Sequence, residues 1–138
     1  MVLTGLIIAI IYETKNEMSS KKTVVLGASQ NPGRYSNMAV SKLDAHRHPV
    51  VAIGQRQGKI GSIDIQTGQP MQEEVDTVTL YLNPTNQIPF YEYILSLNPR
   101  RIIFNPGTEN SELERLAEQK GIKTMEACTL VMLSTGQY

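Results

Sequence analysis

The sequence predicts a three-layer α/β domain with a mostly parallel, five- to six-stranded sheet. Two observations lead to this prediction. Short apolar, β-branched runs recur along the chain, as in strands that are covered on both faces. The segments between these runs have apolar residues at helical spacing. Because strands that alternate with helices join through right-handed crossovers, they form a parallel sheet with helices on both faces.

The predicted elements follow one another with short connections. Strands are expected at residues 23–27, 49–53, 77–82, 101–104 and 122–127, with a short edge strand at 60–65. Helices are expected from Ser36 through the apolar stripe at 39–43, over 88–95, from 111 to 121, and at 128–133. Ser111 and Glu114 have the spacing of a capping box, and Gly121 is placed to end that helix.

The first residues of the chain differ from the rest. Residues 1–12 are strongly apolar but too short to cross a membrane as a helix, and they lack the basic start and cleavage site of a signal peptide. Met18 and the polar residues that follow it look like an ordinary translation start just ahead of the first strand. We therefore interpret residues 1–17, and more broadly 1–21, as an extension outside the fold, and 22–138 as the domain. The alternative is an added strand or helix that packs on the domain or on a second subunit.

Composition narrows the classes of function. The 138 residues suit one domain, and 13 basic and 13 acidic residues give zero net charge. This balance argues against a nucleic acid or an anionic membrane as partner, so any anion site must be local. Cys128 is the single cysteine, which excludes an internal disulfide and fits a cytoplasmic location.

The turn after the first strand has the features of a phosphate site. Gly27 and Ala28 let a ligand approach the main chain, and the next helix begins near Ser36. Backbone N–H groups and a helix N-terminus converge on an anion at such a junction. Arg34 adds a permanent, forked positive charge suited to phosphate oxygens.

Three further loops lie at the same edge, because the carboxyl ends of parallel strands meet there. They are residues 54–56, 83–86 and 105–110, and they are rich in Asn, Gly and Pro. His46, Arg47 and His48 precede the second strand and are expected at the opposite edge as exposed turn residues. With two histidines and no cysteine or carboxylate at ligand spacing, no metal site is predicted.

The second strand is not followed by the acidic residue of a dinucleotide fingerprint. Gly54, Gln55 and Arg56 stand there, and the first loop lacks the second glycine of that motif. Arg56 would attract a ribose phosphate that a carboxylate would repel. This favours coenzyme A or NADP over NAD, and charge alone does not separate the first two.

Several segments together resemble the small stand-alone CoA-binding domain proteins, which are similar to the Rossmann-like CoA-binding domain of succinyl-CoA synthetase α subunits. The segments are GAS at 27–29, NPGRYS at 31–36, DTVTLYLNP at 76–84, FNPGTEN at 104–110 and ACTLVMLSTGQY at 127–138. The resemblance covers about residues 22–138. It implies a Rossmann-like fold and a CoA ligand that lies across the four loops.

The resemblance also implies roles for residues by position. It assigns the phosphate-cradling turn to Ser29, Asn31, Arg34, Tyr35 and Ser36. It assigns the loops that face the pantetheine arm to Asn83, Pro84, Asn105, Pro106 and Gly107. Since the chain ends at Tyr138, the second domain and the partner that carry phosphoryl transfer in the ligases are expected to be absent.

The resulting expectation is a binding, carrier or sensor module for CoA or an acyl-CoA, without a catalytic set. The alternative is a small NADP-dependent oxidoreductase, although the sequence has no Tyr-x-x-x-Lys motif or His–Asp pair suited to it. Cys128 is interpreted as a small buried hydrophobe, with a mixed disulfide to CoA as the second interpretation. The apolar run 130–133 suits either a homo-oligomer contact or core packing.

Overall fold

The computed structural model describes residues 20–138, so the expectations for residues 1–17 and for Met18 lie outside the described residues. A seven-stranded sheet forms the centre, in the order β3-β4-β2-β1-β5-β6-β7. The strands are β1 Thr23–Leu26, β2 Val50–Ile53, β3 Gly58–Ile60, β4 Ile63–Gln66, β5 Thr77–Leu80, β6 Arg101–Phe104 and β7 Lys123–Glu126. The helices are α1 Tyr35–Ala45, α2 Pro84–Gln87, α3 Tyr91–Ser96, α4 Ser111–Gln119 and α5 Thr129–Ser134, with a 3₁₀ turn at Ile88–Phe90.

The sheet is parallel except at one edge, which confirms the predicted fold class. Only β3 runs antiparallel, and it pairs with β4. The stretch 60–65, expected as one edge strand, is instead shared by two strands that reverse at Gly61, whose φ is 59°. Glycine adopts this left-handed backbone without steric cost, which permits the tight reversal and gives the sheet its seventh strand.

The core lies in two layers, one on each face of the sheet. Strands β1 and β5 are buried at every position. One layer packs strand residues such as Val24 and Val78 against Ile94 and Leu113 of α3 and α4. The other packs Val25 and Ala52 of the strands with residues of α1 and α5, among them Leu43 and Leu133. This is the expected arrangement of helices on both sides of a parallel sheet.

Helix starts differ slightly from the sequence prediction. The prediction of a capping box at Ser111 and Glu114 is wrong. Asn110 is instead the N-cap of α4, and its Oδ1 accepts from the Leu113 amide at 3.2 Å. The helix expected over 88–95 is divided into α2, the 3₁₀ turn and α3, and Pro84 and Pro89 stand at helix starts. Among residues 20–138, no helix has both the length and the apolar character needed to span a bilayer.

Strand order reverses between β1 and β5. From β1 the chain moves outward through β2 to the hairpin of β3 and β4, and then returns to add β5 on the other side of β1. Loops that leave neighbouring strands in opposite directions open a crevice at their carboxyl ends. This crevice therefore lies between the loops that follow Leu26 and Leu80.

Candidate functional site

The loop after β1 is fixed to both neighbouring strands. The amides of Gly27 and Ala28 each donate to the Ile53 carbonyl at 2.9 Å, and the Tyr81 amide donates to the Leu26 carbonyl at 2.9 Å. Gly27 has a φ of 97°, and a Cβ there would lie 3.0 Å from the main-chain carbon and oxygen of Tyr81. Glycine is thus required for both conformation and space. The amides of Gly27 and Ala28 anchor the loop and are not free for a ligand.

Further along this loop, three more amides are used internally. The Asn31 amide donates to Ser29 Oγ at 3.1 Å, and the Gly33 amide donates to Asn31 Oδ1 at 2.9 Å. The Arg34 amide donates to the Asn31 carbonyl at 3.0 Å. These contacts form a compact turn ahead of α1. Within the described part of the chain, the loop amides without an acceptor are those of Ser29, Gln30, Tyr35 and Ser36.

The first turn of α1 is electropositive. Arg34 is the N-cap residue, no side chain caps the helix, and its first turn has no acidic residue. Arg34 is exposed and has no ion pair among residues 20–138, while Tyr35 is 71% exposed and Ser36 is buried. Uncapped N–H groups, the helix dipole and a guanidinium together favour an anion at this point.

The loop after β2 is packed against the loop after β1. A Cβ on Gly54 would lie 2.3 Å from the Ala28 carbonyl oxygen. Gln30 extends the contact, because its side chain covers Gly58 and its Oε1 accepts from the Lys59 amide at 3.2 Å. Arg56 lies in this second loop and is exposed. The two loops therefore form one surface, and sequence reasoning missed the part that Gln30 has in it.

A shallow cleft of about 550 Å³ lies beside Arg56, at the hairpin of β3 and β4. Its lining residues are Gln57, Gly58, Lys59, Asp64, Ile65, Gln66 and Thr67. Lys59 Nζ and Asp64 form an ion pair at 3.2 Å across the hairpin. None of the residues expected at the ligand site, Arg56 included, lines this cleft, so the cleft does not coincide with the predicted site.

The loop after β5 begins with a helix cap. Asn83 Oδ1 accepts from the Asn86 amide at 2.8 Å, and Pro84 is the first residue of α2. Gln87 is fully buried and donates to the carbonyls of Leu82 and Thr108, both at 2.8 Å. Gln87 thus holds the loops after β5 and β6 together. Sequence reasoning missed this residue, since no motif marks a buried glutamine.

Asn105, expected to face the ligand, has its side chain in the interior. It is 2% exposed, its Nδ2 donates to Thr79 Oγ1 at 2.7 Å and to the Leu80 carbonyl at 2.9 Å, and its Oδ1 accepts from the Thr129 amide at 2.9 Å. The side chain joins β5, β6 and the start of α5. It positions the loop, and the surface of that loop is formed by the exposed residues Pro106 and Gly107.

Gly107 itself adopts a φ of 91°, and its amide donates to the Glu109 carboxylate. A negative charge thus lies on the loop after β6. Burial raises the pKa of Glu114, and the neighbouring carboxylate of Glu126 raises it further. In the described part of the chain, this edge therefore carries cations without ion pairs near β1 and β2, and carboxylates near β6 and β7.

Tyr81 and Cys128 lie at the carboxyl ends of β5 and β7. The Tyr81 hydroxyl is buried and has no hydrogen-bond partner among residues 20–138. Burial, followed by the nearby Cys128, raises the pKa of Tyr81 well above its usual range. Cys128 is half-buried, so the expectation of a wholly buried thiol is only partly met.

The histidines lie at the opposite edge, as expected. His46 and Arg47 are exposed, but His48 is half-buried, which corrects the expectation of three exposed turn residues. His48 Nδ1 accepts from the Lys21 amide at 3.0 Å, and its ring lies edge-on to Tyr138 with centroids 4.8 Å apart. Burial and the positive charge of Lys21 lower the pKa of His48. Between residues 20 and 138, no group of three or more potential metal ligands occurs.

Comparison with known proteins decides the family. A family model described as a CoA-binding domain matches residues 21–134. The chain belongs to the CoA-binding domain family. This confirms the resemblance drawn from the loop motifs, and it supports a CoA-binding role in general.

Solved structures support the fold of this CoA-binding domain. One, described as an uncharacterized protein, is 48% identical, with 87% of this chain and 99% of that chain aligned and a TM-score of 0.85. A hypothetical protein from Pyrococcus horikoshii OT3 is 18% identical over 86% of this chain and 84% of its own, with a TM-score of 0.77. A protein from Thermus thermophilus is 17% identical over 92% and 97%, with a TM-score of 0.76. The last two show the fold alone. No curated protein matches the sequence.

Proposed function

We propose that this protein binds coenzyme A or an acyl-CoA at the carboxyl edge of the sheet and acts as a binding, carrier or sensor module. The observation that carries the proposal is a set of four main-chain amides that have no acceptor among residues 20–138, next to an arginine that has no ion pair there, in a chain of the CoA-binding domain family. The amides are those of Ser29, Gln30, Tyr35 and Ser36, and the guanidinium is that of Arg34. These donors suit the oxygens of a diphosphate.

The pantetheine arm would then run from β1 across β5 and β6. Neighbouring strands are about 4.8 Å apart, so β6 lies roughly 10 Å from β1. The exposed surfaces of Pro84, Pro106 and Gly107 line this path. The small, uncharged surfaces of these residues suit an extended, mostly uncharged chain.

The polar groups along this path favour binding without a reaction. Asn83 caps a helix, Asn105 is occupied in the interior, and the Glu109 carboxylate accepts from the Gly107 amide. Each of these side chains therefore already serves the structure. Cys128 is a free, half-buried thiol, and its sulfur forms no hydrogen bond with a basic side chain among residues 20–138.

Isothermal titration of the full chain with CoA, acetyl-CoA, NADP and NAD separately tests the proposal. We expect saturable binding of CoA and acetyl-CoA and no binding of NAD. Incubation with acetyl-CoA should release free thiol no faster than buffer does. Tight binding of NADP without CoA would favour the oxidoreductase alternative, and thioester cleavage would contradict a role in binding alone.

A further inference from the structure

The far end of the proposed ligand path follows from the length of the pantetheine arm. From its phosphate to its sulfur, this arm has about the backbone length of four residues, so it spans roughly 13–14 Å when extended. Three strand spacings separate β1 from β7, which amounts to about 14 Å. An extended arm that starts above β1 therefore brings the sulfur of CoA, and any acyl group on it, to the loops that follow β6 and β7.

The loop after β6 carries an exposed carboxylate at this end of the path. The Gly107 amide donates to both carboxylate oxygens of Glu109, at 3.2 Å for Oε2. Both residues are exposed, and Gly107 is one of the residues that the resemblance assigns to the ligand. The contact holds the negative charge of Glu109 on the loop along which the end of the arm would lie.

No ion pair neutralises this charge in the described part of the chain. The ion pair found among residues 20–138 lies in the hairpin of β3 and β4, and Arg115, exposed on α4, has none. Two further carboxylates are near: Glu114 in the first turn of α4 and Glu126 at the carboxyl end of β7. Burial raises the pKa of Glu114, and Glu126 and Glu109 are among the carboxylates that raise it further. These groups therefore lie within electrostatic reach of one another.

A carboxylate on the acyl group would meet a like charge at the end of the path. Two negative charges about 4 Å apart in water weaken binding roughly fivefold. A methyl group in the same place has no such cost. Because the charges are exposed, salt should screen the repulsion.

We propose that Glu109 sets the acyl specificity of the site, so that the protein accepts neutral acyl groups and disfavours acyl groups that carry a carboxylate. This inference rests on the proposed function and deepens it, because it names the class of acyl-CoA that the site takes. Glu109 acts here through its charge and takes no part in a reaction.

Calorimetry with propionyl-CoA and malonyl-CoA tests the inference, because malonyl has a carboxylate where propionyl has a methyl group. We expect the wild type to bind propionyl-CoA roughly fivefold or more tightly than malonyl-CoA. Glu109→Gln keeps an acceptor for the Gly107 amide but removes the charge. This variant should lose most of the ratio through tighter binding of malonyl-CoA, with the affinity for propionyl-CoA unchanged. In the wild type, the ratio should also fall at high ionic strength.

Glu73→Gln is the matched control, because it removes the same charge from an exposed position before β5, at the opposite edge. It should keep the wild-type ratio. If the wild type binds malonyl-CoA as tightly as propionyl-CoA, or if Glu109→Gln leaves the ratio unchanged, the inference is overturned while CoA binding stands. It also fails if the wild type binds CoA but neither thioester, since the end of the path is then closed to both acyl groups. If the wild type binds none of the three compounds, the proposed function fails and the inference with it.

Discussion

Gly54 touches the carbonyl oxygen of Ala28 so closely that a Cβ atom on Gly54 would lie 2.3 Å from it. The contact joins the loop after β2 to the loop after β1. These loops carry Arg56 and Arg34, the two cations assigned to the ligand. The backbone of Gly54 is not in the left-handed region, so space alone requires glycine here.

Gly54→Ala should separate the two loops. We expect a loss of about 1–3 kcal/mol of unfolding free energy, typical of an overpacked site, together with weaker CoA binding. Urea unfolding and calorimetry measure the two effects. Gly68→Ala is the control, because a Cβ there meets nothing within 4 Å although its φ is 75°. That variant should lose stability through its backbone alone and keep its CoA affinity. A Gly54→Ala protein with wild-type affinity would show that the contact does not shape the site.

Arg34→Ala should weaken CoA binding by roughly 1.5–3 kcal/mol, the contribution of a hydrogen bond to a charged group. The stability of the folded protein should not change, because Arg34 is exposed and has no ion pair in the described structure. Arg100→Ala serves as the control at the opposite edge. Calorimetry that finds the same CoA affinity for Arg34→Ala and the wild type would refute the phosphate assignment.

Asn105→Ala should destabilise the protein by about 1–3 kcal/mol, since it leaves buried partners unsatisfied. Those partners are Thr79 Oγ1, the Leu80 carbonyl and the Thr129 amide. Asn83→Ala removes a cap from a helix of four residues and should cost about 1 kcal/mol or less. Denaturant titration measures the free energy of unfolding of both variants, and Asn105→Ala should lose more than Asn83→Ala. A stable Asn105→Ala protein that no longer binds CoA would mean that this side chain contacts the ligand after all.

The protein should lose stability as the pH falls below 6.5. The pKa of His48 is lowered from its ordinary value of 6.5 in the folded state, chiefly by burial. Above pH 6.5, His48 is neutral in both the folded and the unfolded chain, so its full contribution to the free energy of unfolding is present. As the pH falls from 6.5 toward the folded-state pKa, this contribution is lost, because the unfolded chain binds a proton more readily than the folded chain does.

Thermal unfolding at neutral and mildly acidic pH measures this effect. His48→Asn keeps an acceptor for the Lys21 amide but does not titrate, so its melting temperature should fall less on acidification. Other titrating groups, such as Glu114 with its raised pKa, are present in both proteins, so their effect cancels when the two melting temperatures are subtracted. If the melting temperatures of the wild type and His48→Asn fall equally on acidification, His48 is not the source of the pH dependence.

Local patterns in the sequence predict much of this structure. The β-branched runs mark the parallel strands, and the positions of Gly27 and Arg34 follow from the turn between strand and helix. The pattern does not reveal contacts between distant loops. Gln87 bridges loops that are 21 residues apart, and Asn105 turns inward to Thr79 and Thr129. Such roles depend on which groups meet in space, and an asparagine in a loop looks the same whether it faces a ligand or the core.

Amide NMR spectra of the labelled protein show whether particular main-chain amides hold the diphosphate of CoA. On addition of CoA, we expect large shifts for Ser29, Gln30, Tyr35 and Ser36, whose amides have no acceptor in the described structure. The amides of Gly27 and Ala28, which donate to the Ile53 carbonyl, should move much less. If these four amides do not shift, because CoA binds elsewhere or not at all, the loop after β1 is not the diphosphate site.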